Sequence, residues 1–122
     1  MNDPLLGIDL GGTKTAVILG TSSGEVLARE QFPTGTPAET RRRITEAAKG
    51  FGRDFSRVGI ACGGPLDAAR GRLLAPPNLP GWEGAELVSW FESDLQRPVA
   101  MVNDANAGAL AEWRWEIGRA HV

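Results

Sequence analysis

The run GIDLGGTKTAVIL, Gly7 to Leu19, sets an aspartate, two adjacent glycines, a threonine and a lysine within a few positions of one another. That set suits a phosphate. Adjacent glycines let main-chain N–H groups approach an anion with no side chain in the way. Thr13 adds a hydroxyl donor and Lys14 a cation. Asp9, at the end of an apolar run, can hold Mg²⁺ through water, because that ion favours carboxylate oxygens and keeps much of its hydration shell. Two better-known phosphate motifs do not fit. A Walker loop needs Gly-Lys-Ser/Thr, but Thr13 separates Gly12 from Lys14; a dinucleotide fingerprint opens a helix, but here a strand follows. The same residues also make an ordinary hairpin with a polar tip, and by themselves they leave both readings open.

A second cluster, VNDANAGALAE, puts Asn103 and Asp104 where an apolar strand gives way to an alanine-rich helix. Ligands of open α/β sheets bind beyond the carboxyl ends of strands. Asn or Asp at such a junction is equally a helix N-cap, worth about 1 kcal/mol. In the chemical reading Asp104 faces a sugar hydroxyl and takes its proton as the oxygen attacks phosphorus. A helix N-terminus would keep that carboxylate ionised at some cost in basicity. A third cluster joins GGPLD to PPNLPGW. Gly63-Gly64-Pro65 can turn the chain sharply beside a ligand, and Asn78, an amide held between prolines, has donors and acceptors that suit sugar hydroxyls. Trp82 serves either as an apolar wall there or, more simply, as core packing under the loop.

The elements that must position these residues follow from pattern. Leu5 to Leu10 and Thr15 to Leu19 are short apolar strands joined at Gly11-Gly12, and Val26 to Phe32 is a third strand after the TSSGE turn. Thr36 as N-cap, Pro37 at the first helical position and Glu39 completing a capping box open a helix. Ile44, Ala47, Ala48 and Phe51 recur on its apolar face, and Gly50 and Gly52 end it. Val58 to Cys62 reads as a buried strand, LDAARGRLL as a small hairpin or irregular excursion, and APPNLPGW as a rigid loop. Glu86 to Leu95 is a helix with Leu87, Trp90, Phe91 and Leu95 on one face, Pro98 to Val102 a strand, and NDANAGALAEWRW a helix. Three antiparallel strands followed by helix–strand alternation imply a mixed α/β sheet. The order resembles the ribonuclease H-like arrangement shared by actin, the 70-kDa heat-shock ATPases and the sugar kinases.

Composition narrows the classes. With 122 residues, 23% charged and a formal net charge of −2, the chain has the balance of one ordinary globular domain and no basic excess for nucleic acid. Arg41-Arg42-Arg43 falls in a helix and reads as a solvated face. Cys62, the single cysteine, cannot form an internal disulfide and sits in an apolar run, which suits a buried thiol and the cytoplasm. No apolar stretch approaches the roughly 20 residues that span a bilayer, and Asp3 stands where a secretion signal would be basic. The one histidine, His121, lies at the end of the chain, so neither a zinc site nor a Ser/His/Asp triad is expected from these residues.

In this order and spacing GIDLGGTKTAVIL, VGIACGGPLD, PPNLPGW and VNDANAGALAEW resemble the N-terminal half of the ROK family (repressors, open reading frames and sugar kinases), and within it the glucokinase-like kinases, from Leu5 to Trp115. The resemblance implies ATP-dependent phosphorylation of a hexose with Mg²⁺. Asp9, Gly11, Gly12, Thr13 and Lys14 match the family's first phosphate-binding loop. Asn78, Asn103 and Asp104 match its sugar contacts, with Asp104 as catalytic base, and Gly64 matches a main-chain neighbour of the sugar. Family kinases, often dimers, continue into a second domain. It brings a Glu-x-Gly-x-Gly-His motif that contacts and discriminates the sugar, a cysteine-rich zinc site, a second phosphate motif and the adenosine pocket. The 122 residues contain none of these, so they are expected to form one wall of the cleft, residues 1–115, without turnover of their own. Family repressors carry a helix-turn-helix domain before this strand, and with only Met1 to Pro4 ahead of it here a DNA-binding regulator is not expected. EIGRAHV, Glu116 to Val122, is what a common sequencing-adapter oligonucleotide encodes when read in frame, and is expected to be a non-native tail. The competing function is a non-catalytic sugar-binding or regulatory ROK module, which would have no need of Asp9 and Lys14.

Overall fold

The computed structural model describes residues 4–21, 23–62, 66–67, 70–74 and 79–102; the helix expected from Asn103 onward lies outside them. The described residues form β1 (Leu5–Leu10), β2 (Lys14–Gly20), β3 (Val26–Pro33), α1 (Pro37–Gly50), β4 (Val58–Cys62), β5 (Leu66–Asp67), β6 (Arg72–Leu73), α2 (Leu87–Leu95) and β7 (Val99–Val102). Five strands make one sheet in the order β3-β2-β1-β4-β7, and β5 and β6 make a separate small hairpin. β1 to β3 are antiparallel neighbours, whereas β4 lies parallel to β1 and β7 parallel to β4. This is the ribonuclease H-like mixed sheet expected from the order of elements.

Side chains alternate across each strand, so register decides what enters the core. Leu6, Ile8 and Leu10 of β1 share a face with Val17 and Leu19 of β2, Val58, Ile60 and Cys62 of β4 and Met101 of β7. That face packs on Ile44, Ala47 and Ala48 of α1 and on Leu87, Phe91 and Leu95 of α2. The opposite face carries the alternate residues, Gly7, Asp9, Ala16, Ile18, Gly59 and Ala61 among them. Asp9 therefore stands on the side away from the two helices.

The helices begin in different ways. At α1 the Thr36 side chain accepts from the Glu39 N–H and the Glu39 side chain accepts from the Thr36 N–H, with Pro37 inside the first turn, as the capping box predicts. At α2 the N-cap residue Glu86 makes no side-chain cap. The Val88 N–H instead donates to the Gly71 carbonyl at 3.0 Å, so the β5–β6 hairpin caps the helix with its backbone. Gly71 holds φ +72°, and a Cβ there would lie 2.4 Å from the Cβ of Val88.

The Arg41–Arg43 run does more than face solvent. Arg41 of α1 donates from Nε to Asp94 Oδ2 of α2 at 2.8 Å and from a terminal nitrogen to Oδ1 at 3.0 Å, and its guanidinium lies 5.1 Å from the Trp90 ring centre. Arg43 lies over Phe32 at 4.6 Å, and Arg42 pairs with Glu46 in the open. Two of the three cations thus fasten α1 to its neighbours.

The Arg41 hydrogen bond, with the Arg41 charge and the Thr45 hydroxyl adding to it, holds Asp94 below its ordinary value of 3.8 despite the cost of partial burial. A depressed carboxylate contributes stability above its unfolded pKa and loses it as pH falls through the folded value. Asp94→Asn should therefore cost about 1 kcal/mol in urea unfolding near neutral pH and nothing relative to wild type well below the ordinary aspartate range. Gly71→Ala should cost more, on the order of 2 kcal/mol or above, because it combines a left-handed φ with overlap on Val88, and urea unfolding would measure it.

Candidate functional site

β1 ends at Leu10 and the chain turns back through Gly11, Gly12 and Thr13 into β2. The Gly11 N–H donates to the Lys14 carbonyl at 3.1 Å. A Cβ on Gly11 would lie 2.8 Å from that same oxygen, closer than real Cβ contacts, so glycine is required here by close approach. Gly12, Thr13 and Lys14 are exposed at the tip. The hairpin read as the bland alternative is real, and it presents the polar residues that the phosphate reading needs.

What holds this tip does not show in the motif. Thr34, just beyond β3, donates from its hydroxyl to the Gly11 carbonyl at 2.7 Å and from its N–H to the Thr13 carbonyl at 3.0 Å. The Thr34 hydroxyl proton is committed to Gly11, so the contact between Thr15 Oγ1 and Thr34 Oγ1 at 2.7 Å has Thr15 as donor. Thr15 is fully buried. A buried threonine facing the core side of a strand was the one available signal, because a buried hydroxyl requires a partner.

Asp9 is half-buried, opposite Ala16 on β2 and beside Ala61 on β4, so its neighbours on that face are small. Cys62 ends β4 next to Leu10. Burial, and secondarily the charge of Asp9, pushes the Cys62 thiol up to about 11, so it stays neutral and acts as the small buried hydrophobe expected of it. Trp82 is likewise packed in the core, its ring 6.3 Å from that of Trp90, which favours packing over an apolar wall.

Gly64, Asn78, Asn103 and Asp104 lie outside the described residues. The strands that lead to three of them do not. Leu10 pairs with Cys62 and Ala61 with Val102, so β1, β4 and β7 end side by side at one edge of the sheet. Leu79, which follows Asn78, is buried in the core and accepts from the Trp82 N–H at 3.1 Å, so the end of the proline loop is anchored. Among the described residues no group of three or more His, Cys, Asp or Glu could hold a metal ion by itself. A single carboxylate beside the turn is a donor set that Mg²⁺ can use, since that ion binds through one or two carboxylates together with substrate phosphates and water.

The same family of proteins appears on comparison with known sequences and structures. The chain is 32% identical over 119 residues to a glucokinase of Streptomyces coelicolor, covering 95% of this chain and 37% of that protein. It is 31% identical over 120 residues to a fructokinase of Streptococcus mutans, covering 94% and 40%. The solved ROK family glucokinase of Streptomyces griseus, in complex with glucose and AMPPNP, superimposes with a TM-score of 0.78 at 32% identity, over 94% of this chain and 38% of that one. The chain thus spans about two fifths of the length of these relatives. Its match to the family pattern runs from residue 5 to residue 121, nearly its whole length, and this chain belongs to the ROK family.

Proposed function

We propose that this chain is the N-terminal wall of the cleft of an ATP-dependent hexose kinase. The observation that carries the reading is the shared edge: the Gly11–Lys14 tip and the carboxyl ends of β4 and β7 converge there, and β4 and β7 lead directly to Gly64 and to Asn103-Asp104. In-line transfer needs a phosphate cradle and a proton acceptor facing one another, and such an edge is where α/β sheets bind ligands.

In this reading Gly11, Gly12, Thr13 and Lys14 cradle the phosphates of ATP. Asn78 and Asn103 bind sugar hydroxyls and the main chain at Gly64 lies beside the ring. Asp104 accepts the proton of the attacking hydroxyl as its oxygen bonds to the γ-phosphorus and the bond to the ADP oxygen breaks. Mg²⁺, held through Asp9 and water, would neutralise charge on the phosphates. A hexose and ATP are the partners, and structural zinc belongs to a second domain of the relatives' kind. Among the described residues no helix is long and apolar enough to cross a membrane. A cytoplasmic setting belongs to the same proposal.

Two measurements on the full-length polypeptide carrying these residues test it. Asp104→Asn should lower kcat by about 10²-fold or more with no change in the thermal midpoint, because it removes the base and keeps the shape. Near-wild-type turnover in that variant would refute the base. Calorimetric titration with AMPPNP and Mg²⁺ separates the kinase from a sugar-only module: Lys14→Met should weaken nucleotide binding about tenfold and leave sugar binding alone. Sugar binding with no nucleotide binding in the unsubstituted protein would mean a regulatory module.

A further inference from the structure

The contacts around Thr34 exceed what a loop residue between a strand and a helix needs. Its hydroxyl and its N–H take the carbonyls of Gly11 and Thr13, two of the residues at the tip of the β1–β2 turn. The peptide unit is planar and trans, so a carbonyl and the following N–H point in opposite directions. With the Gly11 carbonyl turned toward Thr34, the Gly12 N–H must point away from it; the Lys14 N–H, opposite the Thr13 carbonyl, faces back toward β1, as the Lys14 carbonyl does in accepting from Gly11. One residue therefore sets two peptide planes of the tip and aims the Gly12 N–H outward from the β3–α1 corner.

The corner itself is firmly held. Behind the hydroxyl stands Thr15, fully buried, whose own proton goes to Thr34 Oγ1 at 2.7 Å. The resulting relay, from the Thr15 hydroxyl to the Thr34 hydroxyl to the Gly11 carbonyl, is a chain in which each bond polarises the next. On the other side the Gly35 N–H donates to the hydroxyl of Thr40, which is buried in the first turns of α1. The capping box at Thr36 and Glu39 follows at once. Thr34 is thus fixed from the sheet and from the helix while it grips the tip.

We infer that Thr34, backed by Thr15, is a positioning residue for phosphate binding: it pre-sets the Gly11–Gly12 peptide so that the Gly12 N–H meets the nucleotide phosphates without reorganisation. The inference rests on the kinase reading above, and it concerns residues outside the cradle. Preorganised donors are worth more than mobile ones because their ordering is already complete when the anion arrives. Loss of the Thr34 hydroxyl should therefore appear in nucleotide affinity and leave the sugar side of the cleft untouched.

The test is steady-state kinetics of the full-length polypeptide with Thr34→Val, Thr34→Ser and Lys14→Met, read as separate KM values for ATP·Mg and for the sugar. Thr34→Val keeps the shape and the backbone N–H and removes only the hydroxyl. It should raise KM for ATP about tenfold, with KM for sugar within about twofold, and Thr34→Ser should restore the wild-type value. If Thr34→Val does not fold, Thr15→Val is measured in its place and should shift KM for ATP in the same direction by a smaller factor. A lower thermal midpoint with unchanged KM for ATP in Thr34→Val or Thr15→Val, while Lys14→Met raises it, overturns the positioning role and leaves the phosphate loop standing. Unchanged KM for ATP in Lys14→Met as well removes the phosphate reading itself, and the positioning role with it.

Discussion

A carbonyl oxygen of Lys14 occupies the space where a side chain on Gly11 would begin, 2.8 Å from an added Cβ, and the order of the sheet depends on that approach. It lets the chain reverse within Gly11 to Lys14, so Leu10 faces Thr15 across the turn and every other pair of β1 and β2 follows in step. A slip of one residue would carry Ile8 and Val17 to the wrong face and Asp9 into the helical core. β1 also pairs in parallel with β4 on its other side, so the same register fixes Ile8 beside Ile60 and Leu10 beside Cys62. A steric condition at one glycine thus places the carboxylate, the core and the carboxyl ends of the parallel strands together.

Much of this fold is legible in the residues, and the reason is local. β1 and β4 run between the expected bounds because each is a short apolar run that stops at a glycine pair. α1 begins where its capping box says because Thr36, Pro37 and Glu39 act within one turn of each other. Features that depend on distant partners are not legible. Nothing near Glu86 announces that the Gly71 carbonyl will accept from Val88, and α2 accordingly starts one residue later than its polar flank suggests. Arg41 looks like one of three solvated cations until Asp94, 53 positions away, comes into reach.

The candidate site divides along the same line. The identities of Asp9, Gly11, Gly12, Thr13 and Lys14 are visible as a motif because a tight turn and a phosphate cradle both require adjacent small residues, and the geometry supplies the turn. The residues that steady it are invisible to motif reasoning. Thr34 is 23 positions from Gly11 and 19 from Thr15, and its neighbours Pro33, Gly35 and Pro37 give it the appearance of a linker. Asn78, Asn103, Asp104 and Gly64 remain readings of the sequence, supported by the row of strand ends that leads toward three of them.

That linker-like stretch, PTGTP, is where sheet, helix and loop are reconciled. Thr34 takes two carbonyls of the tip. Gly35 gives its N–H to Thr40, and a Cβ there would press to 3.0 Å from the Glu39 carboxylate, so the glycine leaves room for the capping glutamate to fold back. Thr36 exchanges hydrogen bonds with Glu39, and Pro37 enters the first turn, where its missing N–H costs nothing. Loop composition usually signals freedom from constraint, because polar and small residues carry little packing information. Here the same composition arises because each residue must satisfy a backbone group on a different element. A corner that closes β3, starts α1 and orients the β1–β2 tip at once has few alternative conformations. That stiffness is what a turn built on two adjacent glycines would otherwise lack.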